Sequence, residues 1–446
     1  MKAPAEIQNW YAERFERFEK GLNGASKTPL HALRRRAIAS FTSRGFPTTA
    51  QEEWRFTSVA PIAATQFHPV LSYEQSGVGE PDIRPLSLSG TSGVVLVFIN
   101  GHFSRGLSSL PRVPEGVTVG SLGESLARDP ALAALYFEPD GRGDDAFTTL
   151  NAAFLLDGAY VRVEDGVTLD QPVHILSLAS PGVKPLLVQP RHLIIAGNRS
   201  RLSVVESYGG RGTGLYLTNA VTTIVVGEGG VVEHDKLQME SLNSYHVGTT
   251  TVSLKREGSF TSNAINLGGA LVRNNVSALF DGERAECTLN GLSVATGTQL
   301  VDNHTVIDHA TPHCESHELY KSVLDGSARG VFNGKIFVRQ DAQKTDAKQT
   351  NKTLLLSDGA TIDTKPQLEI FADDVKCTHG ATVGQLDEEQ VFYLRARGIG
   401  ETEARDLLTF AFATDVINRV HVEALRQKLD ALLHTRLRQG RVNPET

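Results

Sequence analysis

Two neighbouring stretches, HLIIAGNRSRLSVVESY (192–208) and TTIVVGEGGVVEHDKLQ (222–238), contain the repeating unit that decides the fold. Each has a short β-branched run, a corner with glycine and a second short run, and the unit recurs over residues 161–370. The corner glycines Gly197, Gly227, Gly258, Gly282, Gly326 and Gly359 are 30, 31, 24, 44 and 33 residues apart. Loose repetition of this kind is typical of a parallel β-helix, in which each coil stacks on the previous one.

An antiparallel β-sandwich is the competing interpretation of many short strands. We favour the β-helix because the repeat is too long for a single sandwich core, and its crossovers should be right-handed. The predicted fold is mainly β, a right-handed parallel β-helix core flanked by N-terminal and C-terminal α-helical domains. The predicted domains are a helical region and linker at 1–92, a β-helix at 93–383 with a helical insertion at about 121–157, and a helical domain at 384–446.

Composition limits the classes of function. The 446 residues carry a net charge of −7, which does not favour a nucleic-acid surface. Three cysteines argue against a disulfide scaffold and fit a reducing compartment. No apolar run approaches the ~18 residues of a membrane span, and the N-terminal stretch lacks the apolar segment of a signal peptide. We expect a cytoplasmic protein that binds neither nucleic acid nor membrane.

Residues 371–400 hold Cys377 and His379, two residues apart. If the chain is extended there, both side chains project to the same face, because strand side chains alternate. Gly380 and Gly384 are expected to bracket a loop. A thiol and an imidazole suit a soft or borderline metal, but two donors do not complete a site. The alternative is a buried Cys377 and a His379 that bonds a nearby carbonyl.

Local capping signals predict the helix boundaries. Asp387 is expected to cap a helix, with Gln390 closing a capping box and Gly398 ending the helix. Near the N-terminus, Thr28 is expected to cap a helix that has Pro29 at its first position.

A second group of polar residues precedes this region. It consists of Asp302, His304, Asp308, His309, His313, Cys314 and His317. Part of this spacing resembles a zinc site, but the chain contains no partner CxxC, so buried polar side chains stacked inside the coils are favoured. Cys287 is expected in the core. The polar stretch Thr345–Thr353 is expected to be a corner between strands, with stacked amides and hydroxyls.

The C-terminal region has an apolar stripe at helical spacing. Its residues are Ala404, Leu407, Leu408, Ala411, Phe412, Ile417 and Val420, followed by Leu425, Leu429, Leu432 and Leu433. We expect these helices to cover the end of the β-helix, whose terminal coil would otherwise expose apolar surface and strand edges. A stripe of this length could also dock a partner.

Three long motifs resemble the SufB/SufD family of iron–sulfur cluster assembly scaffold proteins. They are QKTDAKQTNKTLLLSDGATIDTKPQLEIFADD (343–374), VKCTHGATVGQLDEEQVFYLRARGI (375–399) and, near the N-terminus, TTAQEEWRFTSVAPI (48–62). The similarity is continuous from about residue 301 to 420 and patchy over 140–300. The family fold is a β-helix, in agreement with the repeat.

The resemblance implies a non-enzymatic scaffold that works with a SufB-type scaffold and a SufC-type ATPase. The family's Cys and His motif lies at the interface of the two scaffolds, and it matches Cys377 and His379 here. It therefore implies His379 as an iron or cluster ligand or supporting base and Cys377 as an auxiliary thiol, around a transient cluster or iron shared with the partner. No tightly bound cofactor is expected in this chain alone.

The resemblance also implies that the ATPase binds the C-terminal helices, for which we expect Leu407, Leu408, Phe412 and Ile417 to provide contacts. The chain has no GxxxxGK[ST] phosphate-binding loop, so ATP hydrolysis would come from the partner. The form CTHGAT and the absence of a Cys-rich N-terminal segment favour the SufD branch. A homodimer of the isolated chain is a further expectation.

Two other classes of function stay open at the level of sequence. One is a β-helix enzyme that acts on polysaccharide, with Asp302, Asp308 or Asp325 as the acid. The missing signal peptide argues against it. The other is a purely structural interaction protein in which Cys377 and His379 are inert.

Overall fold

The structure is a computed structural model that describes residues 4–22, 28–72, 77–90, 92–137 and 145–439. Its main body is a parallel β-solenoid of about eight turns with helices on both sides in sequence. The predicted parallel β-helix is therefore confirmed, and the sandwich interpretation is wrong. Among the described residues, no helix is long and apolar enough to cross a membrane.

The elements are numbered in chain order. The strands are β1 His68–Pro69, β2 Val95–Ile99, β3 His102–Phe103, β4 Val117–Ser121, β5 Ala159–Val163, β6 Val173–Ala179, β7 Leu186–Val188, β8 Arg191–Ala196, β9 Arg201–Gly210, β10 Tyr216–Val226, β11 Val231–Gln238, β12 Tyr245–Leu254, β13 Ser259–Asn266, β14 Leu271–Phe280, β15 Glu286–Ala295, β16 Leu300–His309, β17 Glu315–Leu324, β18 Arg329–Val338, β19 Asp346–Leu355, β20 Thr361–Ile370 and β21 Lys376–Gly384. The helices are α1 Pro4–Gly21, α2 Pro29–Arg44, α3 Ala60–Ala63, α4 Glu80–Ile83, α5 Leu122–Arg128, α6 Ala131–Tyr136, α7 Ala146–Ala153, α8 Glu388–Ala396, α9 Glu401–Ile417 and α10 Glu423–Gln439.

Successive strands of the solenoid alternate between two sheets. The first sheet runs β20-β18-β16-β14-β12-β10-β8-β5-β4, and the second runs β21-β19-β17-β15-β13-β11-β9-β6-β2-β3. From β8 and β9 onward, neighbours in each sheet are parallel and come from consecutive coils. Strands β20 and β21 are the last strands of their sheets, so together they form one end of the solenoid.

One corner of the solenoid has a residue in the left-handed region in six successive coils. Its residues are Arg199, Gly229, Glu257, Arg284, His313 and Lys344, with φ between 53° and 63°. They are 30, 28, 27, 29 and 31 residues apart. Each backbone N–H donates to a carbonyl of the next coil, as from Arg199 to Glu228 at 2.7 Å and from Lys344 to Asp374 at 2.6 Å. The coil period is therefore regular.

The irregular glycine spacing arises because the predicted corners belong to two series. Gly197, Gly227, Gly258 and Gly282 lie at the left-handed corner, whereas Gly326 and Gly359 lie at the opposite one. At Gly282 the coils approach so closely that a Cβ would lie 2.0 Å from the backbone nitrogen of Arg256. A residue with a side chain cannot be accommodated there without movement of the corner.

The outer face of each sheet is partly covered by helices. The N-terminal helices α1, α2 and α7 share a core with Leu193, Leu217 and Val247 on the first sheet. Helices α5, α6 and α7 lie within the insertion expected at about 121–157. Apolar side chains that include Ile175, Ile224 and many others fill the space between the two sheets.

Helices α9 and α10 cover the outer face of the second sheet. Val416, Leu425 and Leu429 pack with Ile265 and Leu292 of that face, and each of these five side chains is at most 2% exposed. The expectation that these helices cover the end of the solenoid is wrong. The sheet face offers them a continuous apolar surface, and the described residues leave β20 and β21 uncovered at the end.

Candidate functional site

Cys377 and His379 lie on β21, the edge strand of the second sheet. The parallel register pairs Cys377 with Ala347 and His379 with Gln349 on β19. Both side chains are on the face of the strand that looks between the two sheets, as alternation predicted. Because β21 is the last strand, this inner face is open to solvent at the end of the solenoid.

The Cys377 thiol is half-buried beside the apolar cluster that includes Ile336, Ala347 and Leu368. Burial raises the pKa of this thiol above its usual value, and the nearby Asp346 carboxylate adds to the effect. The thiol is therefore protonated at neutral pH in the isolated chain. Coordination of a metal would have to displace that proton.

The His379 imidazole is exposed, and we find no hydrogen bond or ion pair to it from the part of the chain that the structure describes. The residues that the structure describes contain no group of three or more His, Cys, Asp or Glu side chains able to hold a metal ion. One thiol and one imidazole fit iron as donors, but they leave its coordination incomplete.

The expected loop between Gly380 and Gly384 is wrong. Strand β21 continues through Gly384, which pairs with Leu354 on β19. The backbone is held extended by the ladder of hydrogen bonds to β19, an interaction that the local sequence does not reveal. The two glycines have open space around their Cβ positions, so nothing in the chain itself requires a glycine there.

Three polar side chains are aligned across neighbouring strands of the second sheet, from His379 at the edge to Glu318 two strands away. The register aligns His379 with Gln349 on β19 and with Glu318 on β17. The Gln349 amide donates to the Glu318 carboxylate at 2.5 Å. Burial raises the pKa of Glu318 to about 7, against the opposing effect of hydrogen bonds from Gln349 and Thr305. Sequence analysis missed Glu318 and Gln349, although their separation of 31 residues matches the coil period.

The polar stretch Thr345–Thr353 is not a corner, because β19 occupies residues 346–355. Its inward side chains Gln349, Asn351 and Thr353 are buried. The predicted bonding of these amides and hydroxyls to one another is not seen. Gln349 bonds Glu318, and Asn351 donates to the carbonyl of Tyr320 at 3.3 Å. Gln349 Oε1, Asn351 Oδ1 and Thr353 Oγ1 are buried without a hydrogen-bond partner in the part of the chain that the structure describes. Polar composition alone suggested a turn, whereas the solenoid interior accepts polar side chains that find partners in adjacent coils.

The second polar group predicted from sequence is divided: His304 Nε2 lies 2.9 Å from Asp302 Oδ1 on the outer face of the first sheet, whereas other members have separate surroundings. His309 is buried beside Phe280 and bonds Ser316 at 2.9 Å, while Cys314 Sγ donates to the Gly282 carbonyl at 3.4 Å. His313 is an exposed corner residue. The described residues do not bring His309, His313 and Cys314 together as one group of ligands, and Cys287 lies in the core as predicted.

Two of the acids considered for a polysaccharide enzyme, Asp302 and Asp308, are in ion pairs on the outer face of the first sheet. The third, Asp325, lies at a corner after β17 and accepts from the backbone N–H of Gly326 at 2.8 Å. Asp302 is fully buried and accepts from Arg273 at 2.8 Å and from Thr57. Arg273, His304 and, to a smaller extent, Thr57 hold its pKa at about 2, well below its usual value, in spite of burial. Asp308 pairs with Arg339 at 2.7 Å. The Asp302 carboxyl is therefore not a candidate for a general acid at neutral pH.

The C-terminal candidates divide into exposed and buried residues. Leu407 is 44% exposed, and Leu408 and Phe412 are half-buried. Ile417 is 1% exposed within the core beneath α9. The expectation that Ile417 contacts a partner is wrong, because its side chain faces the sheet.

Two aromatic residues that sequence analysis did not name are exposed on α8, the helix that contacts α9. Phe392 is 71% exposed and Tyr393 is 57% exposed, both on α8. We define Phe392, Tyr393, Leu407 and Leu408 as the α8–α9 apolar patch. A cavity of about 620 Å³ beside it is lined by Tyr393, Leu394, Leu408 and polar residues at the start of α8.

The described residues form an open-ended solenoid with one thiol and one imidazole on its edge strand, two donors that do not complete a metal site. Two family descriptions match this chain: "SUF system FeS cluster assembly, SufBD core domain" at residues 179–412 and "SufBD protein N-terminal region" at residues 5–175. The chain belongs to the SufB/SufD family of iron–sulfur cluster assembly proteins, and within it the chain is a homologue of SufD.

Individual relatives agree with this assignment. The iron–sulfur cluster assembly protein SufD of Escherichia coli is 31% identical, with 89% of this chain and 90% of the relative aligned. An iron–sulfur cluster assembly SufBD family protein of Synechocystis is 33% identical, with 92% and 91% aligned. SufD of Bacillus subtilis is 27% identical over 69% of this chain and 71% of its own length.

Proposed function

We propose that this chain is a non-catalytic scaffold subunit for iron–sulfur cluster assembly and that it acts with a SufB-type scaffold. The observation that carries the proposal is the placement of Cys377 and His379 on an exposed edge strand at the open end of the solenoid. His379 serves as a ligand to iron or to the nascent cluster, or as a supporting base. Cys377 is an auxiliary thiol, in keeping with its raised pKa.

The remaining ligands come from the partner scaffold, because two donors do not complete an iron site. The end of the solenoid suits such a partner: Ile370, Phe371 and Val383 are exposed there, at 38%, 60% and 48%. The free edges of β20 and β21 present unpaired backbone groups that another strand can bond. A site divided between two chains releases its cargo when the chains separate, so neither chain needs to hold the cluster tightly.

The second proposed partner is a SufC-type ATPase that docks on the α8–α9 apolar patch. The patch presents Phe392, Tyr393 and Leu407 to solvent, and aromatic anchors of this kind are common at the centres of protein interfaces. Phe412 lies at its margin. The ATPase supplies the hydrolysis for which this chain has no phosphate-binding loop. A cytoplasmic location and a homodimer of the isolated chain remain predictions.

The proposal is tested by co-expression with the two partners, followed by size-exclusion chromatography and analysis of iron and sulfide. We expect the three chains to co-elute and His379→Ala to lower bound iron and sulfide without loss of the complex. His317→Ala is the matched control, because His317 is 44% exposed on the outer face of β17. Failure of the wild-type chain to bind either partner would overturn the proposal.

A purely structural interaction protein is the second candidate function. It is favoured by the small number of donors in this chain, since an iron site built wholly by the partner would leave Cys377 and His379 without a role. The co-expression experiment distinguishes the scaffold function from the purely structural function. Unchanged iron in the complex that contains His379→Ala supports the structural role.

A further inference from the structure

Lys321 is a buried cation between the second sheet and helix α9. It lies on the outer face of β17, and its side chain is only 6% exposed. Its ammonium donates to the carbonyl of Phe412 at 3.0 Å, pairs with Asp415 at 2.8 Å and lies 4.5 Å from the centre of the Phe412 ring. All three contacts are made to α9.

A lysine in this position has an energetic cost that an apolar residue would avoid. Lysine is almost never fully buried unless it is paired, and the neighbouring outward residue Val323 shows that the surface around it is apolar. The bond from Lys321 is the main reason that the pKa of Asp415 is lowered. Apolar packing alone tolerates sliding of a helix over a sheet, whereas a charged hydrogen bond to one carbonyl and one carboxylate fixes a single register.

The topology connects this contact to both proposed sites. Along the second sheet, Lys321 pairs in register with Lys352 on β19, and Lys352 pairs with Thr382 on β21. The strand β21 carries Cys377 and His379. Helix α9, which Lys321 contacts, also carries Leu407 of the α8–α9 apolar patch, one and a half turns before Phe412.

We propose that Lys321 is a positioning residue that couples the helix on which the ATPase docks to the sheet that carries the cluster donors. This inference rests on the proposed function. A displacement of α9 by the docked ATPase pulls on β17 through the Phe412 carbonyl and Asp415. Strands β19 and β21 then follow, because each is bonded to the preceding strand over its whole length.

The test compares Lys321→Met with the wild-type chain in complex with the ATPase. Methionine keeps the apolar stem and removes the charged bonds, while the α8–α9 apolar patch is untouched, so we expect the ATPase to bind as before. In the wild-type complex, ATP should change the rate at which Cys377 reacts with a thiol reagent. In Lys321→Met that nucleotide-dependent change should be lost, and in Lys321→Arg it should be retained in part.

Lys348→Met on β19 is the matched control, because Lys348 is 53% exposed and pairs only within its own strand, with Asp346. It should behave as wild type. Asp415→Asn weakens the same contact from the helix side and should reproduce the loss even if Lys321→Met folds poorly. A wild-type response in both Lys321→Met and Asp415→Asn would overturn the inference, as would a wild-type complex whose Cys377 reactivity ignores ATP.

Hydrogen exchange of the isolated full chain separates this inference from the proposed function. Lys321→Met should raise exchange in the second half of α9 and in β19 and β21, while α10 and β9 stay unchanged. This result is expected whether or not the ATPase binds. Absence of any change in β19 and β21 would overturn the coupling, and failure of the wild-type chain to bind the ATPase would overturn the proposed function alone.

Discussion

Glu318 is a carboxyl inside the solenoid whose charge should control stability near neutral pH. Burial raises its pKa from 4.5 to about 7. An acid with a raised pKa in the folded state stabilises the fold below its unfolded pKa, and this contribution is lost as pH rises through the folded value. We expect Glu318 to lower the free energy of unfolding by about 3 kcal/mol between pH 4 and pH 8. Urea titrations of wild type and Glu318→Gln across this range test it, and the variant should lack that decline.

Glu315→Gln on the same strand is the control, since Glu315 is 57% exposed and should leave the pH profile unchanged. Asp235 is a second buried acid, with its pKa raised to about 6, so part of the decline should persist in Glu318→Gln. A Glu318→Gln profile parallel to that of wild type would contradict the prediction.

Substitutions of His313 test whether the left-handed backbone at the corner of the solenoid is strained. Its φ of 60° is strained for a residue with a Cβ, and an L-residue in this region costs about 1–2 kcal/mol. We expect His313→Gly to raise the free energy of unfolding by roughly 0.5–1 kcal/mol, because glycine's larger entropy in the unfolded chain offsets part of the gain. His313→Val should lower it by about 1 kcal/mol or more. Denaturant titration of the two variants measures both effects.

His317→Val is the control for His313→Val. His317 lies in β17, where a β-branched residue is favourable, so this change should be neutral or slightly stabilising. Equal destabilisation by valine at both positions would contradict the role of backbone strain.

Short-range chemistry at single residues could be predicted from sequence. Thr28 caps α2 and accepts from the N–H of His31, Asp387 caps α8 and accepts from Glu389, and Gly398 follows α8 with a φ of 87°. A cap depends on residues within one turn, so it is visible locally. The burial of Ile417 was not visible, because a helical stripe shows that one face is covered but not which residues at its edge remain exposed.

At the scale of the element, the solenoid depends on close stacking at its corners and not at its last strand. Gly282→Ala would place a Cβ 2.0 Å from the backbone of Arg256, whereas Gly380→Ala on β21 meets nothing within 4 Å. We expect Gly282→Ala to lower the free energy of unfolding by about 1–3 kcal/mol and Gly380→Ala to change it by at most about 0.5 kcal/mol. Thermal unfolding of both variants checks this contrast, and equal midpoints would contradict it.

Sequence analysis did not predict the strands whose boundaries are set by pairing with a strand of the neighbouring coil. Strand β19 was taken for a corner because Thr345–Thr353 is polar, and β21 was expected to end in a loop after Gly380. Both are extended because each pairs along nearly its whole length with a strand one coil away. A pairing across about 30 residues leaves no trace in local propensity, although the repeated coil length of 27–31 residues does contain it.

At the scale of the molecule, the repeat predicted a stacked solenoid, and the motifs placed Cys377 and His379 at a strand near its end. The sequence-based expectation was wrong about the surface that the C-terminal helices cover. An apolar stripe such as that of α9 fits an end or a side equally well. The helices pack on the side of the solenoid because the outer face of the second sheet offers a longer apolar surface, which includes Leu237, Ile265 and Leu292. Among the described residues, the end formed by β20 and β21 therefore stays uncovered.

The open end has a consequence for dynamics that can be measured in the isolated chain. In a stacked repeat, each coil is stabilised mainly by its neighbours, and β21 has a neighbour only on the side of β19. Amide hydrogen exchange should therefore be fastest in β21, slower in β19 and slowest in central strands such as β13. Addition of a SufB-type scaffold should slow exchange in β20 and β21 and leave β9 unchanged. Protection of β21 equal to that of β13 in the isolated chain would show that the end is already covered, and the proposed divided site would then have no free edge on which to form.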